Sequence, residues 1–179
     1  MMNTPWKTQI SALLLALFWG IAPALALASE PAAPQPLELL HLISENSKLD
    51  LTPYEGKAVF LNFFTEWCGY CMQEMPDIQK AFETYSQDDL QIVLIHPWDG
   101  EDAKNTESVR KRFGMEAMTF YEDETLELPR AFQLQGYPTS IFIDKEGNFF
   151  DLVVGMLTPE ALDAILNEMS IPKKAGHDD

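Results

Sequence analysis

The segment Ala58-Val59-Phe60-Leu61-Asn62-Phe63-Phe64-Thr65-Glu66-Trp67-Cys68-Gly69-Tyr70-Cys71 joins two patterns without a break. Its first half, Ala58 to Phe64, is an apolar run of the kind that fills a strand buried on both faces. Beyond it, Cys71, Met75, Ile78, Phe82 and Tyr85 recur at steps of 4, 3, 4 and 3, which makes one face of a helix. Between the patterns sits Trp67-Cys68-Gly69-Tyr70-Cys71, which holds the only two cysteines of the chain. The Cys-x-x-Cys therefore falls at a helix N-terminus, where unpaired N–H groups and the helix dipole favour an anion. Cys68, the leading sulfur, is expected to be the exposed one and to ionise below the free-thiol value of about 8.5. Cys71 begins the buried face, able to attack a mixed disulfide at Cys68 but shielded from solvent. The pair divides into nucleophile and resolver.

Other uses of two cysteines fit less well. A structural staple closing four residues removes only roughly 2 kcal/mol of unfolded-chain entropy. Zinc needs two more ligands, and His41, His96 and His177 offer no pair at ligand spacing. Covalent haem needs His directly after the second cysteine, where this chain has Met72. Cu(I) held by Cys68, Cys71 and some of the eight methionines is chemically open, although Met75 and Met169 fit apolar helix faces. Neither a cofactor nor a resident metal is expected.

Outward from this centre, Leu37 to Ile43 and Leu49 to Leu51 read as short extended pieces. Gln91 to Ile95 is a second buried strand, followed by a plain loop at His96-Pro97-Trp98. A weaker helical pattern covers 101–113, Met118 to Tyr121 reads as a short strand, and Glu124 to Gln133 as another helix. Ser140 to Ile143 and Phe149 to Val154, separated by Asp144-Lys145-Glu146-Gly147-Asn148, form an antiparallel hairpin. Thr158-Pro159 opens the last helix, with Thr as N-cap and Pro in the first turn. The acidic run Glu122-Asp123-Glu124 reads as solvated surface, and 171–179 as a flexible tail. This order predicts an α/β domain at 37–170, with a mixed central sheet and helices on both faces.

At the front, Lys7, the apolar run from Ile10 to Trp19 and the triplet Ala26-Leu27-Ala28 have the order of a secretory signal, with cleavage after Ala28. An uncleaved anchor is the competing reading, and only that reading attaches the protein to a membrane. Residues 29–36, with three prolines, make an extended linker. Of the 179 residues, 46% are hydrophobic and 22% charged, which excludes a disordered chain. The formal charge of −16 repels a phosphate backbone, so no nucleic-acid partner is expected. Loss of 1–28, which carry Lys7 and no acid, takes it to −17.

With the Cys-x-x-Cys in place, the chain resembles the thioredoxin superfamily, and within it the exported TlpA-like and ResA-like thiol–disulfide oxidoreductases. The resemblance rests on Leu61 to Cys71, Glu74-Met75-Pro76, and Gly136-Tyr137-Pro138-Thr139-Ser140-Ile141-Phe142-Ile143-Asp144 with Gly147, and it covers about 37–170. It implies a thioredoxin-like three-layer α/β/α fold and catalytic Cys68 and Cys71. It also implies a cis Pro138 against the cysteine pair, with the Tyr137 backbone presented to an extended substrate segment. Pro76 matches the fold's helix-kinking proline. Trp67 is expected to shield Cys68 and join the substrate platform. Glu74 matches an acid that tunes the thiols, against the alternative of a solvated glutamate; Glu66 is read as surface charge.

The buried base of cytosolic thioredoxins falls at Asn62, which cannot ionise, so any such base lies elsewhere. Gly69-Tyr70 between the cysteines resembles the dipeptide of a periplasmic isomerase rather than those of thioredoxin or ResA-like reductases, which leaves the redox direction open. The implied function is a periplasmic reductase of exported protein disulfides, apocytochrome among them, served by a membrane electron donor or acceptor. An oxidase or isomerase, or a Cu(I)-binding chaperone, is the alternative.

Overall fold

A computed structural model describes residues 43–44, 47–98 and 106–176. The segments read as signal peptide (1–28) and linker (29–36), most of the extended piece at 37–43 and residues 101–105 lie outside the described residues. Within them, strands β1 (Ala58–Phe63), β2 (Leu90–Pro97), β3 (Thr119–Asp123), β4 (Thr139–Ile143) and β5 (Phe149–Val154) form one sheet. Its order is β3-β2-β1-β4-β5. The β1–β2 and β2–β3 pairs are parallel, while β1–β4 and β4–β5 are antiparallel, so the sheet is mixed. Helices α1 (Gly69–Thr84), α2 (Thr106–Phe113), α3 (Glu127–Ala131) and α4 (Pro159–Glu168) accompany it.

Every residue of the central strand β1 is buried, as its unbroken apolar run requires. Strand alternation then sends its side chains into two cores. Phe60 stacks on Phe142 at 4.7 Å and packs with Met75 and Ile78 of α1 and Leu162 and Leu166 of α4. Val59, Leu61 and Phe63 face the other way, toward Leu51 and toward Leu128 of α3. Two apolar faces covered by separate elements give the three-layer α/β/α arrangement. The hairpin turn is tied by Asp144, whose Oδ1 accepts the N–H groups of Glu146 and Asn148, and it needs Gly147 at φ +83°.

Several local expectations need correction. Ile43, the end of the first extended piece, is helical instead, and Leu49 to Leu51 pairs with no strand among the described residues. β2 runs on through His96 and Pro97, both buried and registered against Glu122 and Asp123 of β3. Asp123 is therefore not solvated: it is buried, and its carboxylate accepts the N–H groups of Glu127 and Leu128 at the start of α3. That helix is shorter than the 124–133 pattern suggested, because Leu126 (φ +56°) and Gln133 (φ +50°) take left-handed backbone at either side. The tail is held over 172–174. The Pro172 carbonyl accepts Ser86 N–H at 2.9 Å, and Lys174 N–H donates to the Thr84 carbonyl at 2.8 Å.

Candidate active site

Chain leaving β1 reaches Cys68, which caps α1 in extended backbone (φ −79°, ψ 106°). Its Sγ accepts the N–H of Cys71 at 3.1 Å, as an N-cap side chain does. The two cysteines are joined in a disulfide, with Cα atoms 5.2 Å apart. Cys71 has no accessible surface and Cys68 has 6%. Cys71 is buried as expected, whereas Cys68, expected to be exposed, is buried as well in the disulfide form. In the disulfide its sulfur is turned inward, capping the first turn of the helix and bonded to Cys71. Trp67 and Tyr70 on either side are 69% and 64% exposed, so aromatic side chains flank the buried pair at the surface.

The β1–β4 pairing sets Phe63 opposite Thr139. Because these strands are antiparallel, the exit from β1 and the entry to β4 lie at the same end of the sheet. The loop Gly136-Tyr137-Pro138 therefore comes to the cysteine end. The Tyr137–Pro138 peptide is cis. Pro138 is buried, and the half-buried Tyr137 ring meets Trp67 edge-on at 6.1 Å between centroids. The Pro138 carbonyl accepts Gly155 N–H at 2.9 Å, which ties the loop to the chain just after β5.

Glu74 is not a solvated glutamate. It is 1% exposed, on the same face of α1 as Cys71. Asn62 Nδ2 donates to its Oε1 at 2.7 Å, and the Leu157 N–H donates to its Oε2 at 3.0 Å. Burial pushes the carboxyl up to about 7, with Asp77 adding to the rise and the two hydrogen bonds opposing it. Glu66, by contrast, lies near the surface and accepts from Ser108 Oγ at 3.0 Å. Pro76 lies within α1, on its exposed side. Met75, Met115 and Met118 are buried in the core and Met169 packs against it, so they serve packing rather than a soft-metal site.

A family model described as a thioredoxin-like domain matches residues 46–170. The chain belongs to the thioredoxin-like domain family. The thiol-disulfide oxidoreductase ResA of Geobacillus thermodenitrificans (strain NG80-2) is 33% identical over 110 residues, 62% of this chain. The chain spans 62% of that relative's length. A solved thiol:disulfide interchange protein of Chlorobium tepidum TLS is 28% identical with a TM-score of 0.56, over 68% of this chain and 85% of that one. An exposed lipoprotein thioredoxin of Streptococcus pneumoniae strain TIGR4 is 27% identical with a TM-score of 0.55, over 65% and 88%.

On this thioredoxin-like scaffold, the partners of Glu74 are what the sequence reading missed. In the sequence Asn62 stands out only as a residue unable to ionise, and neither Ser140, which Asn62 bonds in turn, nor the Leu157 amide stands out as a site group. A signal for the first two was present. Asn62 and Ser140 are polar residues inside apolar strands, and they are directly paired across β1 and β4.

Proposed function

We propose that this thioredoxin-like protein is an exported thiol–disulfide oxidoreductase that reduces disulfides of exported proteins in the periplasm. The observation that carries the activity is the Cys68–Cys71 disulfide at a helix N-terminus, with Cys71 fully buried and Cys68 6% exposed. A relative named thiol-disulfide oxidoreductase supports the chemistry, and one described as an exposed lipoprotein supports export.

In the reduced protein the Cys68 thiolate, favoured by the N–H of Cys71 and the helix terminus, attacks one sulfur of a substrate disulfide. The substrate S–S bond breaks, a mixed disulfide forms, and the leaving sulfur takes up a proton. Cys71 passes its proton to Glu74 and attacks the Cys68 sulfur; the bond from Cys68 to the substrate breaks, and the second substrate sulfur leaves as a thiolate that takes up a proton. Two electrons have moved from the dithiol to the substrate, and a membrane electron donor restores the dithiol. Tyr137 and Pro138 hold an extended substrate segment, as in strand addition, and Trp67 shields Cys68 and widens the platform. Exported thiol proteins such as apocytochromes are the partner class.

Replacing Cys68 by Ser is expected to abolish exchange with a model protein disulfide, whereas Cys71→Ser traps mixed disulfides visible on a non-reducing gel. Unchanged turnover in the Cys68→Ser protein overturns the activity. Active-site pairs span about −270 to −120 mV, and a potential above about −150 mV would replace the reductase by an oxidase or isomerase.

A further inference from the structure

Asn62 sits in the wholly buried strand β1 and, by alternation, on the α1 side of the sheet with Phe60 and Phe64. Its Nδ2 donates to Glu74 Oε1 at 2.7 Å and to Ser140 Oγ at 3.2 Å. Its Oδ1 is buried without a hydrogen-bond partner among the described residues. An unpaired buried acceptor is costly, and buried amides normally use both ends.

The same three side chains admit a second arrangement. Turned half over about its Cβ–Cγ bond, the amide sets Oδ1 where Nδ2 now lies, against Glu74 and Ser140. A protonated Glu74 can then donate to it. Ser140, whose hydroxyl accepts in the first arrangement, donates in the second. Each orientation leaves one amide atom unpaired, so hydrogen bonding alone does not lock either. The charge on Glu74 decides between them.

We propose that Asn62 is a positioning residue for Glu74, an amide that donates to the carboxylate and, turned over, accepts from the carboxylic acid. The other oxygen stays with the Leu157 N–H. The inference rests on the reading of Cys68 and Cys71 as an exchanging pair whose proton Glu74 receives. Cys71 and Glu74 are three residues apart on one buried helix face, which makes them neighbours. In the step itself the Cys71 S–H bond breaks, the Glu74 O–H bond forms, and negative charge moves from carboxylate to sulfur. No electron changes hands.

The groups that set this equilibrium come from each surrounding element. From α1 they are Cys71 and Asp77, with Cys68 at its cap; Asp77 raises the proton affinity of Glu74. From β1 and β4 come Asn62 and Ser140, and from the β5–α4 connection the Leu157 amide, none of them charged. Asn62 is thus the side chain that favours the carboxylate against burial.

The test is a pH titration of the Glu74 carboxyl by carbon-13 NMR in the full reduced chain, for wild type, Asn62→Leu and Asn62→Asp. Asn62→Leu removes both bonds, and because the bond to the carboxylate is the stronger, the Glu74 midpoint is expected to rise by about one pH unit, a tenfold gain in proton affinity. Asn62→Asp, which keeps the shape of the side chain, is expected to give two coupled steps from two carboxyls sharing one proton. In a Glu74→Gln background, Asn62→Leu is expected to leave the pH profile of disulfide exchange unmoved. An unshifted Glu74 midpoint in both variants overturns the proposal, as does an Asn62→Leu shift of the exchange profile that persists without Glu74. The NMR midpoints need no substrate, so a wild type unable to exchange disulfides would overturn the oxidoreductase reading separately.

Discussion

Burying Glu74 beneath the sheet costs the fold stability only where the carboxyl would otherwise be ionised. In the unfolded chain it gives up its proton near the ordinary value of 4.5, and in the folded protein near 7. Below the first value both states hold the proton and no penalty exists. Between the two, the unfolded chain ionises while the fold does not, so stability falls as pH rises. Above the second, the full penalty stands, on the order of 3 kcal/mol. Glu74→Gln removes it while leaving an amide that can accept from Leu157 and pair with Asn62. Thermal melts of the oxidised proteins should coincide near pH 4 and separate by pH 8, with the variant melting higher; a pH-independent difference would contradict this origin. The sequence made half of this visible. Glu74 lies three residues after Cys71 and four before Ile78, in the middle of the apolar face. Its anchoring partners do not show in spacing, because Leu157 is 83 residues away in the chain.

Elements were legible where local chemistry alone determines them. Thr158-Pro159 has the form of a helix start, and Thr158 Oγ1 does accept Ala161 N–H at 3.3 Å ahead of Pro159 in the first turn. Removing that acceptor with Thr158→Ala is expected to cost about 1 kcal/mol by urea denaturation, with an unchanged dependence on denaturant. A midpoint equal to wild type would mean that water satisfies the first turn equally well. The short helix α3 shows where local chemistry ends. Three consecutive acids look alike in sequence, yet the pairing of Pro97 with Asp123 turns only the middle one inward, where it caps the helix. Register between strands chose it, and register is a property of the neighbour.

At the scale of the whole molecule, the sequence supplied the mixed sheet because buried strands, an amphipathic helix and a hairpin follow one another in order. It did not supply the tethered end, since Lys173 bridges to Tyr85 across a gap that no periodicity spans. Charge belongs to this scale as well. A formal charge of −16 on 179 residues surrounds a cysteine pair flanked by the exposed, uncharged side chains of Trp67 and Tyr70. The net field then acts on the approach of a substrate rather than on the bond exchange. Screening reaches about 30 Å at 0.01 M salt and about 8 Å at 0.15 M. Stopped-flow exchange of the reduced protein with a basic peptide disulfide should therefore slow as salt rises across that range. An acidic peptide of equal length should speed up, and a neutral one should hold its rate. Three identical salt profiles would show that the field is cancelled at the site, and that the apolar platform alone selects what docks there.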